Sequence, residues 1–456
     1  MFISKDPYSG ETFQSLDFQD NETTQKQIQL AEEAFANLGS LSIDERAGHL
    51  RSLALKLKSD VEELALIITE EMGKPIAQSR AEIMKCAWLC EWVAAMGPNM
   101  LKDELLFDMD GTKAFTRRDP LGAVLAIMPW NFPFWQLFRF AVPAVLAGNV
   151  VLLKHAPNVL RSALAMERLF IDAGFPQHSL QNLFIDIDQV ESVLADPFVA
   201  GTTLTGSTRA GKAAAALAGK HLKKHVLELG GSDPFIVLPS ANIDSTVMGA
   251  LAGRFQNNGQ SCIAAKRFIV HEDLKDSFLE ALTSRLGQFR IGDPKEEDTN
   301  ISCMARQDLK EDLEEQVNKS IEMGAKLAFQ SEEKLSSPAY YPPTILIDVP
   351  VDSPAWKEEL FGPVLSLTSY SSEDEMISLA NDTIYGLGAS IWAADTSEAE
   401  ALISKIQSGN IFVNEIVKSD PRIPFGGIKQ SGYGKELGRE GLLEFTNSKT
   451  VSIRYK

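Results

Sequence analysis

The amino-acid sequence predicts an α/β fold. Short β-branched and leucine-rich runs (GAVLAI, NVVLLK, TTLTG, FIVL, RFIV) alternate with stretches of helical periodicity, the pattern of parallel strands joined by crossover helices. A second series follows Cys262, with DSFLEALTSRL reading as a helix and TILIDV and NIFVN as strands, and it indicates a second α/β unit. The 456 residues leave room for two or three domains at about 150 residues each. No linker rich in Pro, Gly or Ser separates the halves, and the division is placed at Gly230-Gly231.

The elements follow in chain order. From about Thr23 to Leu101 apolar residues recur at helical spacing, as in VEELALIITEEM, and Ser42 with Glu45 forms a capping-box pattern ahead of RAGHLRSLALKL. ELLFDMDGTKAFTRRDP then reads as two extended runs around Asp110-Gly111, a favoured hairpin dipeptide. The final TVSIRY alternates apolar and polar residues in the same way, so these strands are expected to meet in a small sheet at an oligomer interface.

Composition narrows the function. A net charge of -18 disfavours nucleic acid and anionic membranes, which are held by basic patches. The most apolar region, AVLAIMPWNFPFWQLFRFAVPAVLAGNVVLL, is interrupted by Pro129, Asn131, Pro133, Arg139, Pro143 and Asn149, which rules out an unbroken spanning helix of about 20 residues. The opening MFISKDPYSG carries no targeting signal, and a cytoplasmic protein is expected. Cys86, Cys90, Cys262 and Cys303 show no paired spacing and no neighbouring histidine cluster, so free thiols and no metal site are expected.

Three stretches carry candidate chemistry. NNGQSCIAAKR places Cys262 among small and polar residues where a helical pattern gives out, a setting that suits a reactive thiolate; a small buried core thiol is the alternative. HVLELGGSDPFIVL puts Glu228 at a strand end, where burial would raise its pKa toward that of a general base; a structural acid paired with Lys223 or Lys224 is the alternative. In IMPWNFPFWQLFRF, Asn131 follows a strand and can donate to a developing oxyanion. Asn131, Trp135 and Arg139 are four apart, so on one helix Arg139 would reach back over Trp135 toward Asn131. Arg139 suits a bidentate grip on a carboxylate, or it satisfies an internal acid beside a core Trp135. TTLTGSTRAGKAA opens a helix at Gly206 and Ser207, a weak phosphate cradle, and NVVLLKHAPN ends a strand with Lys154.

Taken in order, PWNFP, VLELGG, FQNNGQSCIAAKR, EELFGPV and PFGGIKQSG resemble the NAD(P)-dependent aldehyde dehydrogenase superfamily over essentially the whole chain. NFPFWQLFRF, KHAPN and LELGGSDPF are most similar to its short bacterial succinate-semialdehyde dehydrogenases. The resemblance implies a Rossmann-type cofactor domain (1–102 and 120–229, with part of 421–442), a catalytic α/β domain (230–420) and a bridging sheet of oligomerisation strands (103–119 and 443–456). It implies Cys262 as nucleophile, Glu228 as general base, and Asn131 with the Cys262 amide as oxyanion hole. NAD or NADP would contact Trp130, Lys154, Pro157, Gly206, Ser207 and Leu229, with Glu359 and Phe361 at the nicotinamide ribose and ring. Many NAD-using relatives carry a glutamate where Pro157 stands, and its absence leaves room for a 2′-phosphate.

The activity so implied is oxidation of an aldehyde to an acid through a cysteine thiohemiacetal and a thioester, with succinate semialdehyde favoured as substrate. Arg139, Trp135 and Ser419 of VKSDPR would bind that substrate's carboxylate. A dehydrogenase of lactaldehyde or another small aldehyde, a CoA-acylating enzyme, and a non-catalytic protein retaining the fold are the alternatives; Glu228 speaks against the second by activating water. A homodimer or homotetramer is expected.

Overall fold

Two mainly parallel sheets organise the chain, as the alternating strand and helix patterns require; the computed structural model describes residues 1–455. The six-stranded sheet runs Gly432–Tyr433, Lys224–Glu228, Val199–Thr205, Ala123–Met128, Val150–His155, Leu180–Asn182 in space, parallel except for its first, two-residue strand. From the strand Ala123–Met128 the order steps outward in both directions, to Val150–His155 on one side and Val199–Thr205 on the other. Such a reversal opens a crevice at the carboxyl ends of the strands, where α/β proteins bind their ligands.

The seven-stranded sheet runs Lys326–Gln330, Thr344–Ile347, Val364–Tyr370, Ala265–His271, Asp233–Val237, Gly388–Trp392, Asn410–Val413, with one antiparallel pair at its first edge. Its five inner strands are largely buried on both faces, so they read as mainly apolar runs, while its two edge strands are half-buried or exposed. The helix Pro133–Ala147 is buried along its whole length, which explains the most apolar segment of the chain without any membrane. Among the described residues no helix is long and apolar enough to cross one.

The capping box forms as the pattern predicts, with Ser42 and Glu45 satisfying each other's backbone at the start of the helix Ile43–Ser59. Asp110 and Gly111 both take positive φ, 52° and 69°, the turn that lets Glu104–Met109 and Thr112–Pro120 pair antiparallel. Thr446–Arg454 adds alongside in antiparallel register, Thr446 opposite Pro120 and Arg454 opposite Thr112. The chain also opens with a hairpin, Phe2–Lys5 against Thr12–Leu16, that the sequence analysis did not single out. Its anchor is Phe2, edge-on to Phe18 and Phe184.

One buried ion pair sets the start of the helix Pro133–Ala147. Glu82, on the long helix Ile76–Met100, accepts from the Phe134 and Trp135 amides at 2.9 and 3.0 Å and from Lys74 Nζ at 2.5 Å. The carboxylate answers two of the amides that every helix leaves unpaired at its first turn. Trp135 is thereby fixed in direction.

Candidate active site

The crevice at the strand reversal is the second of two cavities that meet at Gln136 and Cys262. Pro129, Trp130 and Asn131 enter it from the end of the strand Ala123–Met128, and Thr205, Gly206 and Ser207 from the end of Val199–Thr205. Leu229, Glu359 and Phe361 complete its wall. The first cavity lies between the helices Ile76–Met100 and Pro133–Ala147 and the loop 416–419, and Trp135, Arg139 and Ser419 line it. Cys262 and Gln136 line both, so the thiol stands where the two spaces join.

Cys262 is held there by a buried polar loop. The helix Ile243–Phe255 ends and Asn257 and Asn258 turn into the left-handed region, φ 54° and 53°, a conformation asparagine tolerates better than most residues. Their amides lock it: Asn257 Nδ2 donates to the Asn131 and Gln260 carbonyls at 2.8 and 3.0 Å, and Asn258 Nδ2 to those of Gly73 and Cys303 at 3.0 and 2.7 Å. Gly259, at φ 73°, lies against Gly362 of the EELFGPV stretch so closely that any Cβ would collide with backbone. The Arg254 guanidinium ties the same two stretches, donating to the carbonyls of Gly259, Leu360, Gly362 and Val364.

The charge around the sulfur differs from the sequence expectation. Cys262 lies well beyond the end of the helix Ile243–Phe255, and the acids Glu359 and Glu228 near it oppose a thiolate. Compensating positive charge comes from Lys266, whose Nζ donates to the Ser261 and Cys262 carbonyls at 2.9 Å each, and from Arg139. Burial prevails over both and pushes the Cys262 thiol up to about 12, so at neutral pH the resting sulfur is protonated.

Asn131 Nδ2 donates to the Gln260 carbonyl at 3.1 Å, which leaves its second hydrogen for the cavity. Asn131 precedes the helix, so the single helical stripe from Asn131 to Arg139 does not form. Arg139 instead lies against the buried carboxylate of Glu436, donates to Thr205 Oγ1 at 3.2 Å and covers the Phe425 ring. Of its two readings, the internal acid is the one realised.

Glu228 is buried and lines neither cavity. Its Oε1 faces Gly426 and has no hydrogen-bond partner, and neither Lys223 nor Lys224 pairs with it. Burial drives its pKa well above the ordinary carboxylate range, opposed by Arg139 and reinforced by Glu436. Backbone contacts nevertheless bind it to the other motifs: Gly206 N–H donates to the Glu228 carbonyl at 3.0 Å, and Ser431 accepts from Leu229 N–H through its carbonyl at 3.0 Å and donates its hydroxyl to the Gly230 carbonyl at 2.6 Å.

The residue pattern of the aldehyde dehydrogenase family matches residues 2–451. The chain belongs to the aldehyde dehydrogenase family. It is 44% identical to the succinate semialdehyde dehydrogenase, NAD(P)+, of Escherichia coli (strain K12), covering 98% of this chain and 97% of that one. It is 42% identical to the NADP(+) succinate-semialdehyde dehydrogenase of Mycobacterium leprae (strain TN), covering 98% of each. The structure of the succinic semialdehyde dehydrogenase of Streptococcus pyogenes in complex with NADP+ superposes with a TM-score of 0.96 at 35% identity, over the full length of both chains.

The crevice of this aldehyde dehydrogenase fits a dinucleotide. Lys154, at the end of the strand Val150–His155, is only 7% exposed, yet its Nζ has no hydrogen bond or ion pair among the described residues. A lysine whose stem is buried and whose ammonium is unpaired suits a polar ligand. Ser207 caps the 13-residue helix Thr208–Lys220, its Oγ accepting from the Ala210 amide at 3.2 Å, and a helix start of this kind favours a phosphate. Trp130 and Phe361 stand edge to face 5.7 Å apart, and Glu359 accepts from Gly231 N–H at 3.0 Å with Lys266 at 3.4 Å. Pro157 is exposed beyond Lys154, with its carbonyl held by Ile3 N–H. His155 is a packing residue, hydrogen-bonded to the Pro133 carbonyl at 3.1 Å.

Three site residues escaped the sequence analysis. Gln136 faces both cavities but reads as part of an apolar helix. Glu436 sits in SGYGKELG with no local sign of burial, and Lys85 in RAEIMKCAWLC reads as a solvated helix face. Only the tertiary approach of distant elements gives either a partner.

Because the thiol titrates so high, alkylation of Cys262 by iodoacetamide in the ligand-free protein should accelerate about tenfold per pH unit from pH 7 past pH 9. Mass-spectrometric rates that level off near pH 8.5, as a free cysteine's do, would contradict the protonated resting state.

Proposed function

We propose that the chain oxidises a short aldehyde bearing a terminal carboxylate, succinate semialdehyde to succinate, with NAD or NADP. The observation that carries this reading is the position of Cys262 at the join of a dinucleotide-fitting crevice and a second cavity whose far end is lined by hydrogen-bond donors. The names and cofactors of the relatives support it.

In this mechanism Cys262 gives its proton to solvent water and its sulfur adds to the aldehyde carbon, the carbonyl π bond opening onto the oxygen. Asn131 Nδ2 and the Cys262 amide donate to the oxyanion so formed. Trp130, Lys154, Gly206, Ser207, Leu229, Glu359 and Phe361 hold the dinucleotide, which when bound supplies the hydride acceptor for the thiohemiacetal. Glu228 turns out of its niche beside Gly426, takes a proton from water, and the water releases the acid from the thioester. The raised pKa of Glu228 sets the sign: its base form is lost as pH falls through that value, so hydrolysis slows on the acid side. Pro157 presents no carboxylate to a 2′-phosphate, which favours use of NADP.

Substitution separates the steps. Cys262→Ala should abolish turnover, and Asn131→Ala should lower kcat by about 10²–10³. Glu228→Gln should release a burst of reduced cofactor equal to the enzyme present and then stall. Stopped-flow traces of Glu228→Gln with an undiminished steady state would remove Glu228 from the mechanism.

Substrate and cofactor are tested together. Succinate semialdehyde should exceed butanal in kcat/KM by about 100-fold or more, because a donor-lined pocket leaves its polar groups unpaired around the analogue. NADP should serve at least as well as NAD. Equal kcat/KM for the two aldehydes would end the carboxylate reading, and an inert NADP would end the argument from Pro157.

We further propose that the chain self-associates through its three-stranded sheet. Leu105, Leu106, Phe107 and Met109 on the outer strand Glu104–Met109 are 40–60% exposed, an apolar edge of the kind that invites pairing. Sedimentation velocity should show an oligomer that Leu105→Glu with Phe107→Glu shifts toward monomer; a wild-type monomer would refute the interface.

A further inference from the structure

Lys266 gives its whole ammonium to the turn that carries the sulfur. It stands at the start of the strand Ala265–His271, is fully buried, and folds back so that Nζ donates to the Ser261 and Cys262 carbonyls at 2.9 Å each and to the Ala264 carbonyl at 3.3 Å. Three carbonyls match its three hydrogens. Burial opposes the charge of so enclosed an amine, while Glu359, with Oε1 3.4 Å away, and Asp233 support it.

The same turn leaves one amide unanswered. Ala264 N–H donates to the Ser261 carbonyl at 3.2 Å, which closes a β-turn over 261–264 and, together with Lys266, uses both lone pairs of that oxygen. The peptide from Ser261 to Cys262 is trans, so its carbonyl and its N–H point in opposite directions. Drawing the carbonyl toward Lys266 therefore turns the Cys262 N–H away from it, and that N–H has no acceptor among the described residues. The next peptide is the one whose reversal interconverts type I and type II turns, and Lys266 holds it by the Cys262 carbonyl. One side chain thus sets both peptides that flank the sulfur.

We propose that Lys266 is the positioning residue of the oxyanion hole: by gripping the Ser261 and Cys262 carbonyls it keeps the Cys262 N–H aimed at the oxygen of the bound aldehyde. The inference rests on the reading above, in which Cys262 adds to an aldehyde and Asn131 and the Cys262 amide receive the oxyanion, and it assigns the aim of that amide to a side chain that acts through the backbone. The aim matters because a donor stabilises an oxyanion only where it already points at the developing charge. Lys266 also brings charge, which favours the thiolate, after Arg139 and against the burial that prevails. The two effects are separable. Alkylation of the sulfur needs the thiolate and forms no oxyanion, whereas addition to an aldehyde needs both.

The test compares two rates at one pH in the wild type, Lys266→Met and Lys266→Gln. One is cofactor reduction in a single turnover of succinate semialdehyde with enzyme in excess; the other is alkylation of Cys262 in the ligand-free protein by iodoacetamide, where iodide leaves as the thioether forms. Lys266→Met should slow the single turnover by about 100-fold and alkylation by about 10-fold or less, with KM little changed. Lys266→Gln carries no charge but keeps an N–H for a carbonyl, so it should be alkylated like Lys266→Met and recover part of the single turnover. A single turnover that falls no further than alkylation in Lys266→Met overturns the proposal, and if that variant fails to fold, the same comparison in Lys266→Gln decides. Asn131→Ala tells the two readings apart. An undiminished single turnover in Asn131→Ala removes the oxyanion hole itself, whereas a loss there beside an unaltered ratio of the two rates in Lys266→Met removes Lys266 alone.

Discussion

The closure of the loop 256–264 onto the FGP turn is the constraint on which the site depends. Gly259 meets Gly362 backbone to backbone, and Arg254 threads four carbonyls from both stretches onto one guanidinium. A buried arginine satisfied by carbonyl oxygens is worth retaining only while every one of them stays in place, since an unpaired buried charge is costly. Two asparagines in left-handed conformation then carry the chain to Cys262, with their side-chain amides spent on the Asn131, Gly73 and Cys303 carbonyls. The sulfur's position is thus fixed by polar contacts to distant parts of the chain. Apolar packing alone would not specify it so closely.

The same economy of motifs joins the two sheets. Ser431 of PFGGIKQSG bonds to Leu229 and Gly230 of VLELGG, and Gly432 lies in register with Glu228, so the second half of the chain returns to close the edge of the first sheet. Gly231 approaches the Cys262 carbonyl so closely that a Cβ there would stand 2.6 Å from it. Sequence stretches 30 to 200 residues apart are therefore one object in space. Their residue types make sense only as partners: glycine where backbones touch, asparagine and serine where carbonyls need donors.

This explains what the sequence made legible. The alternation of strand and helix, the hairpin at Asp110-Gly111 and the capping box at Ser42 all rest on local patterns, and local patterns survive folding. The pairings of Arg139 with Glu436 and of Lys85 with Ser419 have separations of roughly 300 residues, and nothing nearby in the chain announces them. A guanidinium four residues from a tryptophan looks free until a carboxylate arrives from the far end of the chain. The thiol was misread in a related way. Its polar neighbours suggest an easy thiolate, but those neighbours use their donors on carbonyls, and burial dominates.

Arg139 also bears on the ionisation of the site. It is the one guanidinium whose field reaches Glu228, Glu436 and Cys262 together, lowering the proton affinity of each against the burial that raises it. Two carboxyls and a thiol share too little solvent to ionise independently, so the cation among them sets how much negative charge the site can hold at once.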